Sequence, residues 1–194
     1  MTQKIVALAL VVGVVAFLFW PREGDLRHDV PTDVQTCKAN LQAIYRELAT
    51  NARTKKVKLP KDWYAKLAAL ITKGLWEDTP ENRARLSCTG PQAEALDFSS
   101  PKDFAPSKTA YACRDQESHP LPKFPAGGSE NEPILACDNA NGMNHDGVMN
   151  VLYTDGSVTT LHLAQEIERG HLSPGTTTIT VGVESELQDL KKLR

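Results

Sequence analysis

A chain of 194 residues has room for one domain with attachments or for two small domains. At 41% hydrophobic and 24% charged residues it is not a disordered chain. A net charge of −2 gives no reason to expect a nucleic-acid partner.

The chain opens with MTQK and then an uncharged run, IVALALVVGVVAFLFW, over residues 5–20. At about 1.5 Å per residue the run spans about 24 Å, slightly short of a hydrocarbon core of about 30 Å. Its last residues include Phe17, Phe19 and Trp20, aromatic rings of the kind favoured at a membrane interface. Three readings compete: an uncleaved single-span anchor, a cleaved signal peptide and a buried core helix. A signal peptide needs small residues at its cleavage site, and FLFWPRE offers none, which favours the anchor. The expected organisation is an anchor over 1–20 in contact with membrane lipid through residues 5–20, a linker over 21–31, and an extracytoplasmic domain over 32–194. The linker, PREGDLRHDVP, carries two prolines and charges of both signs.

TDVQ at 32–35 reads as a capping box in which Thr32 and Gln35 cap each other's amides. Val34, Cys37, Leu41, Ile44 and Leu48 follow at spacings of three and four, which predicts a helix over about 33–55 with one apolar stripe. Asn51 and the basic RTKKVK close it, cations lying where the helix dipole favours them. LPKDWYAKLAALITKG predicts a second helix over 59–74, with Trp63, Leu67, Leu70 and Ile71 on its buried face. Residues 75–130 are rich in proline and read as irregular, apart from a short strand at TAYAC (109–113). ILAC (134–137) is a second strand candidate. Asp155-Gly156 between β-formers predicts a hairpin with strands near 149–154 and 157–163, both turn residues taking positive φ. A short helix at 163–170, a strand at TTTITVGV (176–183) and a terminal helix complete the expectation. Helices first and strands later make an α+β fold, with helices packed on an antiparallel β-sheet.

The four cysteines, Cys37, Cys88, Cys113 and Cys137, contain no C-x-x-C pair, and this argues against a zinc ribbon. An even count beyond an anchor suits an oxidising compartment and two disulfides. Cys113–Cys137 is the expected pair, because both cysteines follow Tyr/Leu-Ala near strand ends. Cys37–Cys88 remains, and each bridge is worth about 3–4 kcal/mol in a chain-entropy account.

CDNANGMNHDG (137–147) concentrates hard oxygen ligands. Asp138, Asn141, Asn144 and Asp146 are the candidate calcium ligands, although the spacing misses the EF-hand pattern. A turn-rich loop without metal is the competing reading, and no other cofactor is expected. His145 and Asp155 stand ten residues apart. A strand between them, rising about 3.3 Å per residue, would hold them about 25–30 Å apart, too far to share a site. Asp155-Gly156 therefore reads as turn chemistry and His145 as lying at the open end of the hairpin. There is no G-x-S-x-G, H-E-x-x-H or glycine-rich phosphate loop. An enzyme using His145 and His162 is the weakest of the readings.

HDGVMNVLYTDGSV (145–158) resembles the C-terminal signature of bacterial pseudopilin-like proteins described as prepilin-type, H-X9-DG domain proteins, with His145, Asn150, Asp155 and Gly156 among the matching residues. CKANLQAIYRELATNARTKKVKLP (37–60) resembles the first-helix segment of that family, and LSCTGP (86–91) resembles its mid-chain Cys-Pro element. The resemblance spans most of 32–163. It implies a type IV pilin-like fold and a non-enzymatic, membrane-anchored structural or assembly component. The implied setting is the bacterial inner membrane, with the domain in the periplasm and protein partners in a type II secretion or type IV pilus-like system. The alternative is a membrane-tethered binding module with a calcium site in the 138–146 loop. Two features depart from the family. Residues 5–20 contain no acidic residue and no peptidase junction precedes them, and Pro21 interrupts what in pilins is one long helix.

Overall fold

The structure, a computed structural model, describes residues 31–91, 109–121, 123–126, 131–138 and 143–194. The run at 5–20 and the linker up to residue 30 lie outside the described residues. Helix α1 (Thr32–Thr54) comes first, then α2 (Trp63–Thr72) and a short α3 (Pro80–Ala84). The strands are β1 (Ala112–Cys113), β2 (Pro133–Ala136), β3 (Val148–Tyr153) and β4 (Val158–His162), followed by α4 (Leu163–Glu168) and a single 3-10 turn at Leu190–Lys192. The strands form one antiparallel sheet in the order β1-β2-β3-β4.

The α+β expectation is therefore met by a four-stranded antiparallel sheet with helices on it. The membrane-spanning part of the expected fold is corrected: among the described residues no helix is long and apolar enough to cross a membrane. The longest, α1 with 23 residues, buries Val34, Cys37, Leu41, Ile44 and Leu48 but exposes Gln42, Arg46 and Arg53. Its stripe is one face wide, as a helix lying on a sheet requires. The described helices thus give no support to a single-pass inner-membrane protein or to contact with lipid.

The helical stripe works as its spacing predicts. Leu41, Ile44 and Leu48 join Trp63, Leu67 and Leu70 of α2 and Ile134, Leu135, Met149 and Leu152 of the sheet in one core. At the end of α1, Asn51 clamps the chain that follows: its Nδ2 donates to Val57 O and its Oδ1 accepts from Val57 N, both at 2.9 Å. The start of α1 differs from expectation. Pro31 is the N-cap and makes no side-chain cap bond, while Thr32 is already helical, so the capping box does not form. In α2 the cap is Asp62, whose Oδ1 accepts from Ala65 N, a signal hidden behind Pro60 in the sequence. The region expected to be irregular contains α3, capped by Thr79 with Pro80 in its first turn.

The hairpin is present, with Met149 opposite Leu161 and Leu152 opposite Val158. Among the turn residues only Gly156 takes positive φ, at 88°. Asp155 instead accepts from Ser157 N at 2.8 Å and Ser157 Oγ at 2.6 Å. Burial opposes its charge, yet these bonds hold its carboxyl below the ordinary carboxylate range. A Cβ on Gly156 would lie 2.4 Å from Tyr45 Cε1 of α1. The Asp-Gly pair therefore does two jobs: it turns the chain and it lets the turn close on α1. Gly156→Ala, which meets both the positive φ and the Tyr45 ring, is expected to cost about 1–3 kcal/mol. Chemical denaturation should show this as a lower midpoint at unchanged slope, and much of the loss should be recovered in a Tyr45→Ala background.

The tail also departs from expectation. Residues 176–183 form no strand and the terminal helix shrinks to Leu190–Lys192. Thr and Val favour strands only where a partner is available. The last residues do find one. Cys113 N donates to Arg194 O at 2.9 Å, Arg194 N to Cys113 O at 2.8 Å and Asp115 N to Lys192 O at 2.9 Å. The free edge of β1 is thereby covered by the tail, and Leu190 and Leu193 bury there.

Candidate metal centre

Four separate parts of the chain deliver one sulfur or nitrogen atom each to a single point. Cys37 lies on the buried face of α1, one turn inside its start. Cys88 lies in the loop after α3. Cys137 directly follows β2, and His145 sits in the turn before β3. The Sγ atoms of the three cysteines and a ring nitrogen of His145 all lie within 4.8 Å of one another, and all four residues are buried. Cys88 Sγ is 3.1 Å from His145 Nε2. Around a tetrahedral zinc ion with Zn–S near 2.3 Å and Zn–N near 2.0–2.1 Å, neighbouring ligand atoms stand roughly 3.5–3.8 Å apart. A group this tight needs only small shifts to take one ion, the wider pairs closing and the Cys88–His145 pair opening slightly.

Backbone amides are aimed at two of the sulfurs. Asn150 N donates to Cys137 Sγ at 2.9 Å and Gly90 N donates to Cys88 Sγ at 3.3 Å. Asn150 N would ordinarily pair with the Cys137 carbonyl across the β2–β3 ladder. That carbonyl is taken by Asn144 Nδ2 at 3.0 Å, and the sulfur receives the amide instead. The sulfhydryls of Cys137 and Cys37 hold the Cys88 thiol far below its ordinary range, and His145 adds to this against the opposing effect of burial. The Cys137 thiol is pushed up, first by burial and then by hydrogen bonds to the other two. His145 is itself raised: burial opposes its charge, but the Cys88 sulfur and Asp33 outweigh it. Its Nδ1 lies 2.6 Å from Asp33 Oδ2.

Three thiolates and one imidazole are soft to borderline ligands, the set chosen by zinc and not by calcium or magnesium. With four protein ligands no position is left open, which is the pattern of a structural site and not of a catalytic one. Cys88, His145 and Asp33 also stand in the order of a thiol nucleophile, its base and the group that orients the base. Cys37 and Cys137 crowd the same sulfur, and both Cys88, 7% exposed, and His145, 1% exposed, are buried.

The expected disulfides are corrected: Cys37, Cys88, Cys113 and Cys137 are all free. In the β1–β2 register Cys113 pairs with Leu135 and Ala112 with Ala136, which places Cys137 two positions along from the partner of Cys113. Diagonal neighbours of this kind lie about 7–8 Å apart, beyond the usual span of a disulfide. Cys37 and Cys88 do meet, but as two members of the four-residue cluster. Cys113 stays apart, buried at the sheet edge.

Of the expected calcium ligands, Asn141 lies outside the described residues. Asp138 is buried and Asp146 is exposed, while the Asn144 amide is committed to Ala110 O and Cys137 O, both at 3.0 Å. Of the signature residues, His145 joins the metal group at the open end of the hairpin, where Val148 pairs with His162. Asn150 is fully buried and supports the centre: its Nδ2 donates to Val34 O at 2.9 Å and its Oδ1 accepts from Thr160 Oγ1 at 2.8 Å. Asp155 and Gly156 belong to the far turn. Local spacing could not reveal this site, because each element contributes a single ligand. Comparisons with protein-family models, with curated proteins and with solved structures return no match.

Proposed function

We propose that this chain is a non-enzymatic structural component whose domain is fastened by one zinc ion at Cys37, Cys88, Cys137 and His145. Its place in a secretion or pilus-like assembly follows from the resemblance carried by residues 37–60 and 145–158. The observation that carries the metal reading is the convergence of four ligand atoms, from α1, the loop after α3, the end of β2 and the turn before β3, within 4.8 Å. Zinc there does what a disulfide pair was expected to do: it ties the first helix to the long loop and to the sheet. Once the thiols belong to a metal, their even number no longer argues for an oxidising compartment, since metal-binding cysteines occur in reducing ones as well.

Elemental analysis of the full chain, purified without chelator, tests the reading. One zinc per chain is expected, and cobalt replacing it should give the visible absorption of a tetrahedral sulfur-rich site. Calcium uptake without zinc would return the oxygen-rich 138–146 loop as the site. Protein free of any bound metal, unable to take up zinc when reduced, would end the reading. Unchanged export and filament assembly after deletion of the gene would remove the assembly role.

A further inference from the structure

We propose that Asp33 is the outer-sphere partner of this centre, holding His145 in the tautomer that offers Nε2 to the ion, and that through it metal occupancy fastens the first turn of α1. The proposal deepens the zinc reading and rests on it. A metal-bound imidazole is normally oriented by a group that accepts from its other nitrogen, very often a carboxylate. Asp33 Oδ2 stands 2.6 Å from His145 Nδ1, leaving Nε2 directed at Cys88 Sγ, 3.1 Å away. The His145 ring is 1% exposed, whereas the Asp33 side chain is 30% exposed and carries the pair to the surface.

Asp33 also sits where the helix needs help. The N-cap, Pro31, supplies no side-chain acceptor to the first amides of α1. The carbonyls of the first turn are held from outside. Thr89 Oγ1 donates to Asp33 O at 3.0 Å and Asn150 Nδ2 donates to Val34 O at 2.9 Å. Cys37, four residues after Asp33 and so on the same face, enters the metal group. Thr89 lies next to the ligand Cys88, and Asn150 donates to the sulfur of Cys137. Every one of these fasteners is a ligand or a neighbour of one. Loading the ion therefore tightens the start of α1.

A simpler role competes with this one. A carboxylate in the first helical turn is favoured by the helix dipole alone. Chelator competition on Asp33→Asn separates the two. An outer-sphere role predicts a zinc affinity lower by about 10–100-fold with one site retained, partial recovery in Asp33→Glu, and an altered cobalt spectrum. A dipole role predicts affinity within about twofold of the parent and an unaltered spectrum, and that result would overturn the proposal. Hydrogen exchange reads the second half. Zinc removal should speed exchange over 32–37 far more than over 63–72, and zinc-loaded Asp33→Asn should exchange faster at 32–37 than the zinc-loaded parent. Equal acceleration in both segments would overturn the coupling. If Asp33→Asn does not fold, magnetic resonance of the cadmium-loaded parent with nitrogen-labelled histidine gives the tautomer directly. Metal coupling to Nε2 with the proton on Nδ1 supports the proposal, and coupling to Nδ1 overturns it. A parent protein that binds no zinc overturns the zinc reading itself, and this proposal with it.

Discussion

Cys137→Ala is expected to lose the zinc ion and to lower the thermal midpoint of the zinc-saturated protein by about 8–16 °C. The figure comes from linkage. A ligand that binds only the folded state adds about 4 kcal/mol when its free concentration is about a thousand times its dissociation constant. For a chain of this size each kcal/mol moves the midpoint by about 2–4 °C. Tightly bound structural zinc is capable of more. The thiol itself accounts for little of this, since cysteine to alanine removes one atom from a site packed by Asn150, Cys37 and Cys88. The control is therefore the metal-free comparison. In excess chelator the parent and Cys137→Ala should melt within about 3 °C of each other, because the cavity and the lost N–H···S bond then cost only about 1 kcal/mol. In excess zinc they should separate by the full amount. A difference of the same size in both conditions would mean that Cys137 stabilises by packing and not by coordination. Cys113→Ala is the companion variant: its sulfur lies outside the metal group, so its effect should not depend on zinc.

The parts of the fold legible in the sequence are those in which one element carries its own signal. The stripe from Val34 to Leu48 needs only a helical period and a core to face, and it lies where its spacing places it. The turn at Asp155-Gly156 likewise depends on neighbours one or two residues away. The candidate metal centre has no such local signal. Its ligands arrive singly, 51, 49 and 8 residues apart along the chain, and only the packing of α1 on the sheet brings them together. Counting cysteines in pairs then misleads, because the fourth member of the cluster is a histidine and the fourth cysteine lies apart from it. The capping-box reading fails for a related reason. Thr32 and Gln35 fit the motif, but the carboxylate between them, Asp33, reaches the His145 ring more than a hundred residues away. The tail misleads in the opposite direction. TTTITVGV has strand-forming residues, yet it is residues 192–194 that line the edge of β1, and Ile179 alone of the stretch is fully buried.

Gly90→Ala is expected to damage the centre without touching a ligand. Gly90 carries the amide that donates to Cys88 Sγ at 3.3 Å, and its backbone lies against the turn that presents His145. A Cβ built there would stand 2.0 Å from Asn144 O, 2.5 Å from Asn144 C and 3.0 Å from His145 Nδ1. Two of those neighbours are backbone atoms, which cannot swing aside as a side chain would. Asn144 is further pinned by its bonds to Ala110 O and Cys137 O. The added methyl must displace either the Cys88–Gly90 loop or the Asn144–His145 turn, and each displacement separates Cys88 Sγ from His145 Nε2. Forcing atoms into packed space typically costs about 1–3 kcal/mol and occasionally more, and a clash with backbone belongs at the upper end. The midpoint should fall by about 6–12 °C in zinc, and zinc affinity should fall as well, read by chelator competition. The two losses arise from one displacement, so part of the fall in midpoint should vanish when zinc is removed from both proteins. Thr89→Ala, one residue away, adds no atom to the turn and leaves the Cys88–His145 contact in place, so it should retain most of its zinc affinity. Parent-like affinity and midpoint in Gly90→Ala would show that the loop does not press on His145, and the geometry of the fourth ligand would then have to be redrawn.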